Sequence, residues 1–211
     1  MSQSLRFLKR FLDSPQAIGS IMPSSPALVR VMLADVDWSR VITVAELGGG
    51  TGVISSRINT LRCAESHFLC FENEPDMHLQ LSRKLNDVLF ERDAFNIRQA
   101  LEKHQLSSLD CVVSGLPLVN FPREKRHQLL QDIYEVLNPG GMFVAFQYTR
   151  QLQSSLTSIY DRTDRQYVWA NLPPAFVFVC RKQETVGDGL DGISGRFHPR
   201  HSGADSDIPE P

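Results

Sequence analysis

An apolar strand that runs straight into a glycine turn constrains this chain more than any other feature. Val41–Glu46 (VITVAE) is apolar and rich in β-branched residues; Leu47-Gly48-Gly49-Gly50-Thr51-Gly52 follows, and a helix begins near Val53. A strand apolar on both sides belongs in a sheet covered on both faces. Similar runs recur at His67–Glu72 (HFLCFE), Asp110–Ser114 (DCVVS) and Met142–Gln147 (MFVAFQ), with a weaker one at Val88–Arg92. Between them lie helical stretches near Asp76–Asn86 and Pro122–Leu137, the second closed by Asn138-Pro139-Gly140-Gly141, a stop signal. Gln166–Trp169 and Phe176–Arg181 flank Asn171-Leu172-Pro173-Pro174, which predicts a terminal antiparallel pair. The expected fold is therefore α/β: a doubly wound, mainly parallel seven-stranded sheet with that antiparallel pair at its end.

The 211 residues suit one principal domain, placed at 36–182. Residues 1–35 form a separate N-terminal segment. Within it, Leu5, Phe7, Leu8, Phe11 and Leu12 fill one arc of a helical wheel, and Arg6, Lys9, Arg10 and Asp13 fill the other. A Pro/Ser stretch (Ser20–Pro26) and a second short helix, Ala27–Leu33, follow. Residues 183–211 carry six acids against two arginines and few large apolar side chains, so a disordered acidic tail is expected there. A net charge of -2 argues against broad nucleic-acid binding. Cys63, Cys70, Cys111 and Cys180 have no C-x-x-C spacing, and the last three sit in apolar runs as buried reduced thiols. No apolar run reaches the roughly 20 residues of a membrane span, and no signal peptide is legible, so the cytoplasm is the expected location.

The glycines fall at 48, 50 and 52, and Val53 takes the last place of a G-x-G-x-x-G template. Glu46, just ahead of them, would repel a diphosphate but suits a cationic ligand. S-adenosylmethionine, with a sulfonium and an ammonium, is such a ligand. Glu72, at the end of the second strand, is placed to accept both hydroxyls of a ribose. Asp93-Ala94 stands where an acid would accept from an adenine amino group. The plain alternative for each is a tight turn or a solvated charge.

Strand–ELGGGTG–strand–E resembles the class I S-adenosylmethionine-dependent methyltransferases, with their Rossmann-like fold. Phe11–Pro26, Ser114–Leu118, Leu137–Gly141 with Phe146-Gln147-Tyr148, and Val168–Ala175 resemble bacterial phospholipid N-methyltransferases, which convert phosphatidylethanolamine towards phosphatidylcholine; related enzymes methylate ornithine lipids. The resemblance spans about residues 5–182. It departs at Gly49, where the family often has proline, and in the acidic tail. It implies S-adenosylmethionine as cofactor, held by Glu46, Gly48, Gly50 and Glu72; Gly52, Asn73, Asp93, Ala94 and Ser114 complete the expected binding set. No metal is expected, because displacement at a sulfonium-activated carbon requires none.

Methyl transfer to an amine needs alignment above all, worth on the order of 7–11 kcal/mol at the limit. Tyr148, at the end of the MFVAFQ strand, is the candidate catalytic residue, by hydrogen bond or by cation–π contact with the growing ammonium; a structural tyrosine is an equal reading. Carbonyls of the Ser114–Pro117 turn are candidates to receive the amine, and the turn differs from the Asn/Asp-Pro-Pro-aromatic loop of adenine methylation. His127 reads as solvent-facing. Arg6, Lys9, Arg10, Ser24, Ser25 and Leu116 are assigned to substrate or membrane contact. On an anionic surface the three basic residues would contribute about 3 kcal/mol; the alternatives are that the helix's apolar face caps the protein's own cofactor cleft, or that the basic cluster is a plain solvated face. The expected activity is methylation of an aminophospholipid, phosphatidylethanolamine first, at the inner face of the cell membrane. Ornithine lipid or a soluble amine is the second reading, and a non-catalytic adaptor the third.

Overall fold

Why the glycine turn sits where it does follows from the strand before it. The computed structural model describes residues 24–184. Its elements, in order, are α1 (Pro26–Leu33), β1 (Thr43–Leu47), α2 (Val53–Leu61), β2 (His67–Phe71), α3 (Pro75–Lys84), β3 (Leu89–Glu91), α4 (Ile97–Lys103), β4 (Leu109–Ser114), α5 (Arg123–Val136), β5 (Leu137–Gln147), α6 (Gln153–Thr157), β6 (Arg162–Val168) and β7 (Ala175–Arg181). Every residue of β1 is buried. Ala45 and Leu47 face one core and Val44 the other, so the sheet has two covered faces, as a continuous apolar run demands.

The strands lie in the order β3-β2-β1-β4-β5-β7-β6. The first five are mutually parallel, and β7 runs antiparallel between β5 and β6. Helices α1, α2 and α3 bury Met32, Ile58 and Leu81 on one face. On the other, α4, α5 and α6 bury Ile97, Ile133 and Leu156. The expected seven-stranded, doubly wound sheet is present. Strand order reverses between β1 and β4, and ligands of such sheets bind in the crevice at that reversal. Although the sequence reading groups α1 with a separate N-terminal segment, its Leu28, Val29, Met32 and Leu33 are part of the core. The 4–13 helix and the acidic tail beyond Glu184 lie outside the described residues.

Two boundaries differ from the sequence reading. Asn138-Pro139-Gly140-Gly141 does not separate helix from strand: β5 starts at Leu137, directly after α5, and carries these residues as a bulge. The register with β4 slips there, Leu137 opposing Leu109 but Met142 opposing Cys111. Gly140, at φ 76°, accommodates the bulge, and its N–H donates to the Lys182 carbonyl at 3.1 Å. Strand β6 begins at Arg162, four residues before the expected start. Its early residues are polar because it is a sheet edge, where charge protects the unpaired backbone. The four cysteines are free thiols; Cys70, Cys111 and Cys180 are buried, as expected. No helix among the described residues is long and apolar enough to cross a membrane.

Candidate active site

The strand ends are tied together before any ligand is considered. Gly48 and Gly49 both donate their N–H to the Phe71 carbonyl, at 2.9 and 3.0 Å, and Gly115 donates to the Leu47 carbonyl at 2.9 Å. These bonds join the carboxyl ends of β1, β2 and β4 into one rim. Gly48, Gly50 and Gly52 take φ values of 84°, 52° and 81°, a region that costs other residues strain. Their roles separate when a Cβ is considered. At Gly50 it would meet nothing within 4 Å, so this backbone is open to a ligand. At Gly52 it would collide with Leu81 Cδ2, so that glycine serves the packing of α2 on α3. Gly52→Ala is therefore expected to lower stability by about 1–3 kcal/mol, and thermal unfolding will show it.

Above the rim lies a cavity of about 530 Å³. Gly48–Thr51, Glu72–Pro75, Arg92–Phe95 and Gly115–Pro117 line it, with Ser24, Phe121 and Phe146. The Glu72 carboxylate reaches across the loop: Oε2 accepts from the Gly50 N–H at 2.6 Å and Oε1 from the Glu74 N–H at 2.8 Å. Each oxygen retains a lone pair for a ligand hydroxyl. Asp93 accepts from the Phe95 N–H at 3.0 Å and stays exposed on the wall beside Ala94. Arg92 braces the same wall through a bond to the Asn73 carbonyl at 3.3 Å. Of the predicted cofactor residues, Gly48, Gly50, Glu72, Asn73, Asp93 and Ala94 thus share one cavity wall.

Glu46 does not line the cavity. Its side chain is fully buried beneath the loop. Oε2 accepts from the Cys70 thiol at 3.7 Å, and Oε1 has no close hydrogen bond. Burial raises its pKa to about 8, and donors at Ser55 and Cys70 offset this only in part. The reason is strand alternation: Glu46 points to the opposite face from Ala45 and Leu47. Ser114 is likewise buried and off the cavity wall; its Oγ accepts from the Leu116 N–H at 3.3 Å and shapes the turn. Gly52 and Ser25 are also away from the wall, Ser25 because it caps α1 by accepting from the Leu28 N–H at 3.1 Å. Ser24 and Leu116 do line it.

Tyr148 is absent from the wall too. It is half-buried against Phe146, ring centroids 5.7 Å apart, and hydrogen-bonds the side chain of Asn171. Burial raises its pKa, with the Asn171 bond opposing. Phe146, two residues earlier in β5, takes the cavity position instead. The Leu116 carbonyl, a candidate amine acceptor, is already occupied by the Leu118 N–H at 2.8 Å and by Gln147 Nε2 at 2.9 Å. Gln147 and Asn171, which the sequence reading quotes only within motifs and gives no role, are both buried and pair with distant positions. His127 is exposed. Arg6, Lys9 and Arg10 lie outside the described residues.

Charge is divided across the cavity. Glu72, Glu74 and Asp93 stand on the β2–β3 side with Arg92 alone opposing them, whereas Leu116, Pro117, Phe121 and Phe146 make the β4–β5 side apolar. The first half suits a cation bearing hydroxyls. Residues 44–141 match the family model described as a methyltransferase domain. The chain is also 30% identical over 193 residues to the ornithine lipid N-methyltransferase of Singulisphaera acidiphila, covering 86% of this chain and 97% of that one. The chain belongs to the class I S-adenosylmethionine-dependent methyltransferases. Solved structures share the fold of this methyltransferase. One is the 1,6-didemethyltoxoflavin-N1-methyltransferase of Burkholderia thailandensis with S-adenosylhomocysteine bound: 15% identical, 86% of this chain and 87% of that one, TM-score 0.57. Another is an S-adenosylmethionine-dependent O-methyltransferase of Thermotoga maritima, 15% identical, covering 82% and 71%, TM-score 0.60. The methyltransferase's cofactor, S-adenosylmethionine, fits the acid-lined half of the cavity.

Proposed function

We propose that this methyltransferase methylates the amine of an aminolipid headgroup at a membrane surface. The carrying observation is the divided cavity, one half lined by acids and glycine backbone and the other by Leu116, Pro117, Phe121 and Phe146. In this reading Glu72 accepts the ribose hydroxyls, the Gly50 backbone permits close approach, and Asp93 with Ala94 receives the adenine. The cofactor supplies a methyl group on a sulfonium, already activated for in-line displacement. The aromatic rings of Phe121 and Phe146 favour an alkylated ammonium by cation–π contact, roughly 0.5–2 kcal/mol each. None of the four residues on the acceptor half titrates near neutrality. The amine therefore loses its proton on the way in rather than to one of these side chains, and their task is to orient it and exclude water.

The ornithine lipid relative supports a lipid acceptor, and both ornithine lipid and phosphatidylethanolamine present a primary amine on a flexible arm. The test gives the full chain labelled S-adenosylmethionine with vesicles carrying either lipid, and with free ornithine or ethanolamine. Methylated lipid without methylated soluble amine is the expected result. Product on the soluble amines alone would sink the lipid reading, and tight cofactor binding with no product anywhere would favour an adaptor.

A further inference from the structure

We propose that the turn between β6 and β7, residues 169–174, is a bilayer-insertion tip that seats the cavity mouth on lipid. This rests on the reading that the acceptor is a membrane lipid, and it assigns that site a second contact. Five large apolar side chains among the described residues are strongly exposed. Three belong to this turn or its base: Trp169 at 77%, Leu172 at 56% and Tyr167 at 40%. The other two are Ile42, just before β1, and Leu79, in α3.

Topology places the tip at the mouth. Phe176 opposes Gln147, and Ala175 opposes Val168, so the turn projects from the carboxyl edge of β5, the same edge that carries the cavity. The link is direct. Ser24 lines the cavity, and its neighbour Ser25 donates its N–H to Asn171 Oδ1 at 3.1 Å and its hydroxyl to the Ala170 carbonyl at 3.3 Å.

The tip is built to hold its shape. Asn171 is buried and donates Nδ2 to the Pro173 carbonyl at 2.7 Å. Tyr167 packs edge-on to Trp169, centroids 4.4 Å apart, and against Phe176 at 4.6 Å. A fixed backbone thus presents Trp169 and Leu172 to solvent. From Tyr167 to Phe176 there is no charged residue. Below it, the Arg165 guanidinium lies 5.5 Å over the Phe176 ring. Tryptophan and tyrosine favour the membrane–water boundary, with an apolar body inward and a polar edge in the headgroups. A lipid surface is also the partner that the chemistry of the tip favours, because an uncharged, aromatic turn stands beside a cavity whose β4–β5 half is apolar.

The test uses the full chain with vesicles of phosphatidylcholine and phosphatidylglycerol, which contain no primary-amine acceptor on phosphatidylcholine or phosphatidylglycerol headgroups. Vesicle partitioning is measured by sedimentation. In a Trp38→Phe background, Trp169 is the remaining tryptophan, and its emission should shift to the blue with vesicles and be quenched by brominated acyl chains. Trp169→Ala with Leu172→Ser should weaken partitioning at least about tenfold. Its S-adenosylmethionine affinity should be unchanged, since neither residue lines the cavity; Leu172→Ser alone should give a smaller loss in the same direction. Unchanged partitioning with no blue shift overturns the proposal. So does a Trp169 emission already blue without vesicles that shifts red on removing residues 1–23, or that depends on protein concentration, because the tip would then be covered by the chain itself or by a second copy. Because no acceptor is present, failure here is separable from failure of the lipid-methylation reading, which the acceptor panel decides.

Discussion

Glu72→Ala should weaken S-adenosylmethionine binding by about a hundredfold or more. The carboxylate accepts from the Gly50 and Glu74 N–H groups and lines the cavity, where the proposed reading has it accept ligand hydroxyls. Hydrogen bonds to a charged group contribute about 1.5–3 kcal/mol each, so losing two to the ligand already amounts to roughly two decades in affinity. Glu72→Gln should be nearly as damaging. An amide would turn N–H towards one of the two backbone N–H groups, setting donor against donor. Calorimetric titration checks both variants, with circular dichroism confirming the fold. An unchanged dissociation constant would show that Glu72 only supports the loop.

The second large effect concerns Glu46 and has a defined sign. Its pKa in the folded protein is raised to about 8 from an ordinary 4.5 because the carboxyl is fully buried. Below pH 4.5 both folded and unfolded chains hold the proton, and Glu46 imposes no penalty. Between 4.5 and 8 the unfolded chain releases a proton that the folded chain keeps, so stability falls as pH rises. Above 8 the penalty levels off, at a ceiling of about 5 kcal/mol. Thermal unfolding of the cofactor-free protein from pH 5 to 9 should show this decline, and Glu46→Gln should flatten it and stabilise the protein at pH 8. The same variant tests the sequence expectation that Glu46 binds the cofactor. If a bound cation draws on this carboxylate, binding releases protons below pH 8 and strengthens with pH, and the variant abolishes both. Proton release identical in wild type and variant would leave Glu46 as support for the loop alone.

The sheet was legible because buried parallel strands advertise themselves: Val41–Glu46, His67–Glu72 and Asp110–Ser114 are apolar runs next to turns. Glu72 and Asp93 could be placed because they terminate strands at the edge where ligands bind. Glu46 and Ser114 were harder, since a residue within a strand can face either side and the spacing to a glycine does not say which. The position of Tyr148 was hard to read for a related reason. Phe146, in β5, and Tyr148, just past its end, have rings in contact, but only the tertiary arrangement shows that the first reaches the cavity and the second bonds Asn171. Helices α4 and α6 are seven and five residues long, too short for a periodicity to emerge. Gln147 and Asn171 look unremarkable in the chain, and their roles arise from partners 31 and 146 residues away.

The bulge of β5 carries one more implication. Gly140 and Lys182 stitch the end of β7 to the start of β5, with Lys182 Nζ donating to the Leu137 carbonyl at 2.7 Å. Because β7 runs against β5, Glu184 stands at the amino edge of the sheet, the pole opposite the cavity. The last described residue is therefore on the far side of the sheet from the cavity mouth. A fluorescent protein fused behind Glu184 should accordingly leave lipid access undisturbed, whereas one fused ahead of Ser24 should obstruct it.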